Sequence, residues 1–174
     1  MSGYPSIPSA NPSGGLTQTD CFLQDILSAT GSLSVPAGSW VNFAGFPGAV
    51  VQPGGTAGII ANGLVLKFPA IEKYSQVIFS FRITGTIGGG AGTPREWQMQ
   101  TRRPDGVTVV GSDGDVKVDG SDISNRDTSL ISWTKGATDP FSVDGIQVGL
   151  LNNSGQTITL TSISVRIQRV VNPI

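Results

Sequence analysis

Five aspartates crowd one stretch, GSDGDVKVDGSDISNRD, at positions 113, 115, 119, 122 and 127. Clustered carboxylates are what a calcium ion needs, because it takes six to eight oxygen ligands. The spacing fails the helix–loop–helix pattern, since counting from Asp113 puts Lys117 and Val118 where an oxygen ligand and a glycine belong. An irregular loop site, or plain turn-forming aspartates between strands, are the two readings left. Nucleophilic catalysis has little to work with. The chain has no histidine, so neither a Ser-His-Asp nor a Cys-His unit can be assembled, and Cys21 lies among apolar residues where a thiol is inert. A glycosidase-like carboxylate pair would have to draw on Glu72, Glu96 or an aspartate, and no spacing selects one. The glycine-rich GTIGGGAGTPR (residues 85–95) lacks the Gly-Lys-Ser/Thr of a phosphate loop and reads as a connection between strands over Gly85 to Gly92. The expectation is a protein that is not an enzyme, with no cofactor, and with no metal site assigned beyond the aspartate loop left open above.

Three tryptophans invite another chemistry, because an exposed aromatic face stacks on sugar rings. Trp40, Trp97 and Trp133 sit in strand-like runs where core or subunit interface is the ordinary fate. Trp97 is the expected exception, lying among Arg95, Glu96, Arg102 and Arg103. Trp97, Arg102 and Arg103 are therefore the candidate surface-recognition residues. Asn152-Asn153-Ser154 matches a glycosylation acceptor but reads as a turn.

The elements that must carry these residues are β. Of 174 residues, 24 are Gly and 11 Pro, and charged residues make up 13%; that profile suits one domain of short strands and many turns. A net charge of −1 with no basic run excludes the field that draws proteins to nucleic acid or anionic membranes. No apolar run approaches the ~20 residues of a membrane span, and the N-terminus lacks a secretion-signal pattern, so synthesis in a cytoplasm without export by the general pathway is expected. Charge is also uneven. Up to Leu66 there is no Lys or Arg, and Asp20 and Asp25 are the only acids. Such a stretch is expected to face protein rather than water.

Residues 1–31 are predicted as an extended arm. Half of the first twenty are Gly, Pro or Ser, a composition that cannot bury enough apolar surface to order itself. Tyr4, Ile7 and Leu16 are then anchors for pockets on a partner. Phe22, Leu23, Ile26 and Leu27 complete the anchor set and fall at helical spacing between Thr19 or Asp20 and Gly31, so a short helix is the first reading there and a strand the second. Residues 32–174 are predicted as the β domain. In QVIFSFRITGT, Phe79, Phe81 and Ile83 share one face and Ser80, Arg82 and Thr84 the other. REWQMQTRRPDGVTVV reads as a hairpin with Pro104-Asp105 central to a type I turn closed by Gly106. DGIQVGLLNNSGQTITLTSISVRIQRV reads as another, turning at Asn153-Ser154-Gly155. Its apolar set changes parity from Ile158 and Leu160 to Ile163, Val165 and Ile167, which demands a bulge or a crossing at Thr161-Ser162. About eight to ten strands with almost no helix make an all-β, two-sheet jelly-roll sandwich with an extended N-terminal arm.

From Gln76 to Val170 the segments YSQVIFSFRI, REWQMQTRRPDG, SDISNRDTSLISWTKGATDPF and VGLLNNSGQTITLTSISVRIQRV together resemble the small jelly-roll heads of tailed-bacteriophage structural proteins. Those heads are similar in shape to the trimeric heads of the tumour necrosis factor and complement-type families. The resemblance implies a virion structural protein on the outer capsid surface: a decoration (cement) protein, homotrimeric, binding the major capsid protein through its arm. The alternative it implies is the receptor-binding head of a phage fibre, with a host glycan as partner.

Overall fold

The computed structural model describes residues 22–53, 60–62, 64–67, 74–89, 95–113, 116–117, 122–133 and 143–171. Twelve strands are defined among them: β1 (Phe22–Val35), β2 (Trp40–Asn42), β3 (Val50–Gln52), β4 (Ile60–Asn62), β5 (Val65–Lys67), β6 (Tyr74–Ile87), β7 (Glu96–Arg102), β8 (Val109–Ser112), β9 (Val116–Lys117), β10 (Asp122–Trp133), β11 (Gln147–Asn152) and β12 (Ile158–Val171). One sheet runs β10-β6-β12-β1-β3, and a second runs β2-β11-β7-β8 with β9 also paired to β7. Every pairing is antiparallel. The chain changes sheet from β1 to β2, from β2 back to β3, from β6 to β7, from β9 to β10, and at both connections flanking β11. This is the jelly-roll sandwich, and the alternation of side chains along its antiparallel strands explains its core.

Inward positions recur every second residue. Val77, Phe79, Phe81, Ile83 and Ile87 of β6 meet Trp97 and Met99 of β7 and Val148 and Leu150 of β11 in one buried cluster. Phe43, on a 3-10 turn after β2, meets the Phe81 ring edge-on at 6.2 Å between centroids. Such geometry is the favoured one for aromatic quadrupoles.

The parity change at Thr161-Ser162 is a bulge, and it belongs to a row of irregularities crossing the long sheet. Leu160 pairs with Gly85 and Ser162 with Thr84, leaving Thr161 extra on β12. On β1, Thr30 pairs with Ser162 and Leu33 with Leu160, so Gly31 and Ser32 stand opposite that one residue. β10 slips at the same level, between Ile123 and Arg126. One extra residue reverses which side chains face inward, whereas two restore them. β12 accordingly shows the parity change and β1 hides it. Gly85 is required here, because a Cβ would lie 2.3 Å from the Thr159 carbonyl oxygen.

Three expectations are corrected. Residues 22–31, assigned to the arm with a short helix, form the first part of β1 between β12 and β3. Residues 147–171 are not a hairpin: β11 and β12 lie in different sheets. Asn152 explains the crossing. Its buried amide donates to the carbonyls of Val35, Pro36 and Gln156 and accepts from the amide and hydroxyl of Ser154, tying both sheet-to-sheet connections at one end. An asparagine so used is no glycosylation acceptor. Finally, Gly85, Thr86 and Ile87 belong to β6, so the glycine-rich connection begins at Gly88.

The 96–112 hairpin forms as expected. The Gly106 amide donates to the Arg103 carbonyl at 2.9 Å across Pro104-Asp105, and Gly106 has a φ of 71°.

Candidate interaction surfaces

Each sheet presents one outer face, and the two differ in chemistry. On the long sheet, Ser28 and Thr30 of β1, Arg82 and Thr84 of β6, and Ser162 and Ser164 of β12 line a groove of about 440 Å³. Alternation puts these small polar residues outward while Leu27, Ala29, Ile83, Ile163 and Val165 fill the interior. The groove lies at the level of the bulge row, where a bulge raises the local twist of a sheet. Val50 and Gln52 of β3 and Gly48 complete its wall, so hydroxyls and one guanidinium share the groove with apolar surface.

On the shorter sheet the outer face of β7 carries Gln98, Gln100 and Arg102. Gln100 Nε2 donates to Gln98 Oε1, Arg102 Nε donates to Gln100 Oε1 at 2.8 Å, and Arg102 Nη1 donates to the Gly106 carbonyl at 2.8 Å. The guanidinium carbon lies 4.5 Å from the centroid of the Trp40 ring. That ring lies over Gly149 of β11, where a Cβ would stand 3.0 Å from Trp40 Cζ2 and 1.9 Å from the Val41 carbonyl oxygen. Only glycine admits the indole there. Burial lowers the Arg102 pKa from its ordinary value and Asp105 opposes the shift; a guanidinium remains a cation at neutral pH regardless.

At the hairpin tip the Asp105 carboxylate accepts from the Thr108 hydroxyl and from the amides of Thr108 and Val107. The Thr108 bonds lead in holding its pKa below the usual carboxylate value. Val107, Val109 and Val110 beside it are exposed, Val107 by 76%.

Several predicted site residues land elsewhere. Trp97 is fully buried, so it cannot stack on a sugar; Glu96 and Arg102 alternate to the other face of β7, while Arg95 and Arg103 lie just beyond its two ends. Leu27 is buried in the chain's own core and Ile26 is half-buried on the outer face, so neither is a free anchor. Phe22 and Leu23 pair with Val170 and Arg169 within the sheet. Tyr4, Ile7 and Leu16 lie outside the described residues. Arg102 and Arg103 are at the surface, half-buried and exposed respectively. The partner of Arg102, Trp40, was legible only as one of three tryptophans.

In the aspartate-rich run, Asp113 accepts from the Met99 amide at 2.7 Å, while Asp122 and Asp127 pair in β10 opposite Thr86 and Arg82. Asp115 and Asp119 lie outside the described residues. Among the described residues no group of three or more His, Cys, Asp or Glu side chains is placed to hold a metal ion. Sequence reading missed the fully buried pair inside the long sheet, where Arg169 Nη2 lies 2.9 Å from Asp25 Oδ2.

The chain matches no protein-family model and no curated relative. Solved structures are similar in fold. The PRD1 vertex protein P5 superposes with a TM-score of 0.50 at 17% identity, covering 86% of this chain and 97% of that one. An Eiger TNF from S. frugiperda superposes with a TM-score of 0.45 at 9% identity, covering 88% and 95%.

Proposed function

We propose that this chain is a non-enzymatic virion structural protein, a capsid decoration (cement) protein. Its jelly-roll body would stand as a homotrimer on the outer shell while residues 1–21 bind the major capsid protein. The observation that carries the reading is the chain's division of charge, seen against a fold shared with a virion vertex protein. Up to Leu66 the chain has two charges, and one of them, Asp25, is consumed by Arg169 inside the sandwich. An uncharged, proline-punctuated segment gains backbone hydrogen bonds and pocket burial only where a partner supplies them. Joining three such arms on one trimer multiplies weak contacts through effective concentration.

Deleting residues 1–19 tests this directly. The truncated protein should remain folded and trimeric by light scattering yet fail to co-sediment with capsids. Undiminished capsid binding, or a monomeric full-length chain, would refute the role as stated.

A further inference from the structure

We propose that the end of the sandwich at which β1 begins is itself a docking surface, seated on the same shell subunits that hold residues 1–21. The inference deepens the attachment role proposed above and rests on it. The argument is an asymmetry between the two ends of the body. Asn152 marks one end, where the connections over residues 36–39, 88–89 and 153–157 meet. Their residues are Gly, Ser, Thr, Asn, Gln, Pro and Ala, and none is a large apolar side chain. The opposite end holds the start of β1 at Phe22 and the finish of β12 at Val171, and there the composition reverses. Six large apolar side chains are exposed among the described residues, and five belong to this end: Val107, Val109 and Val110 on the β7–β8 hairpin, Leu64 between β4 and β5, and Val143 before β11.

Backbone and side-chain bonds tie these positions into one rim. Gln147 Nε2 donates to the Pro104 carbonyl at 2.9 Å, beside the hairpin tip. The Leu66 amide donates to the Ile146 carbonyl at 2.7 Å and the Ile146 amide to the Leu66 carbonyl at 2.9 Å, which joins the Leu64 turn to the segment that carries Val143. Packing does not explain the valines, because Val107 is 76% and Val143 57% exposed. Grouped exposed aliphatics mark a contact surface, and an edge strand such as β8 is ordinarily guarded by charge rather than by valine. The exposed charges around them, Lys67, Arg103, Asp105 and Asp144, are two of each sign. A balanced rim offers nucleic acid or anionic lipid no basic field, and an apolar centre within a polar rim is the make-up of a protein contact. The chain itself names the occupant. Twenty-one residues join the body at this end, so a subunit that holds them is brought against Val107 and Val143 at high effective concentration.

The experiment is co-sedimentation of the full chain with empty shells stripped of it, joined to hydrogen exchange on the bound protein. Amides of residues 105–110 and 143–146 should gain protection on the shell and those of residues 153–157 should not, a measurement that needs no substitution. Val107→Asp and Val143→Asp, at positions already exposed, should each weaken binding about tenfold, as expected when one valine is no longer buried. Ala37→Asp and Thr157→Asp, exposed at the opposite end, should leave binding unchanged. Shell binding with equal losses at both ends, with no loss at either, or without the added protection would overturn this inference alone and leave attachment through residues 1–19 standing. A full chain that does not co-sediment refutes the attachment role and this inference with it. Doubling of the oligomer in free solution that Val107→Asp abolishes would assign the end to a second copy, and would also overturn the proposal.

Discussion

The two sheets of the sandwich are held in register by different means. In the long sheet β1, β6 and β12 are 14 residues each, and their backbone ladders run almost without interruption from Phe22–Val170 to Val35–Ile158. In the short sheet no strand exceeds the seven residues of β7, and side chains supply what the ladders lack. Gln147 reaches the Pro104 carbonyl, Asn42 reaches the Leu64 carbonyl, and the Arg102 ladder lies across the outer face. A long ladder tolerates outward residues of any kind, which frees its outer surface for hydroxyls and a groove. A short one uses its outward residues for tying, which holds Arg102 in place against Trp40.

That contrast can be broken from either side. The largest effect is expected in the long sheet at the Asp25–Arg169 pair, where Asp25→Ala leaves a guanidinium uncompensated in the interior and should cost about 3–5 kcal/mol. Replacing both partners, Asp25→Leu with Arg169→Met, should recover most of that loss in urea unfolding; if it does not, the pair does more than neutralise itself. Gly85→Ala comes next at about 3 kcal/mol, because the Thr159 carbonyl it would strike belongs to the central strand β12. Gly149→Ala strikes harder on paper, at 1.9 Å from Val41, yet should cost only about 1–2 kcal/mol since β2 is a three-residue edge strand that can yield. Equal losses at the two glycines would erase the distinction between the sheets.

The smallest effect is expected at the hairpin tip. With its folded pKa held below the ordinary carboxylate value, Asp105 favours the folded turn above its unfolded pKa, and that contribution is lost as pH falls through the lower folded value. The protection of the Val107 and Thr108 amides against hydrogen exchange, taken relative to the unfolded chain at the same pH, should fall over that acidic window. In Asp105→Asn the acid-dependent part of the change should disappear.

Much of this architecture was legible because alternation speaks for itself. QVIFSFRIT and the Pro104-Asp105-Gly106 turn carry their conformations locally, and the parity change at Thr161 announces the bulge. β1 was harder, for two reasons. Asp25 interrupts its inward set of Leu27, Ala29 and Val35 with a charge, and the partner that makes this acceptable, Arg169, lies at the far end of the sequence. The apolar Phe22, Leu23, Ile26 and Leu27 therefore mimic a helix. Asn153-Ser154-Gly155 turns the chain as expected, but a turn signal does not say whether the next strand joins the same sheet or the opposite one. Trp97 was misplaced by reading charge density over residues 95–103, where the period-two pattern of Trp97, Met99 and Thr101 gives the inward face.

The pairing of β1 with β12 sets a timetable for biosynthesis. β1 emerges from the ribosome early but has its principal neighbour in the last strand, so the central part of the long sheet cannot close until β12 has been translated. Such non-local pairing folds slowly and exposes unfinished edges meanwhile. A nascent chain would thus keep its long sheet open until β12 has left the ribosome, with β1 lacking its principal neighbour throughout that interval.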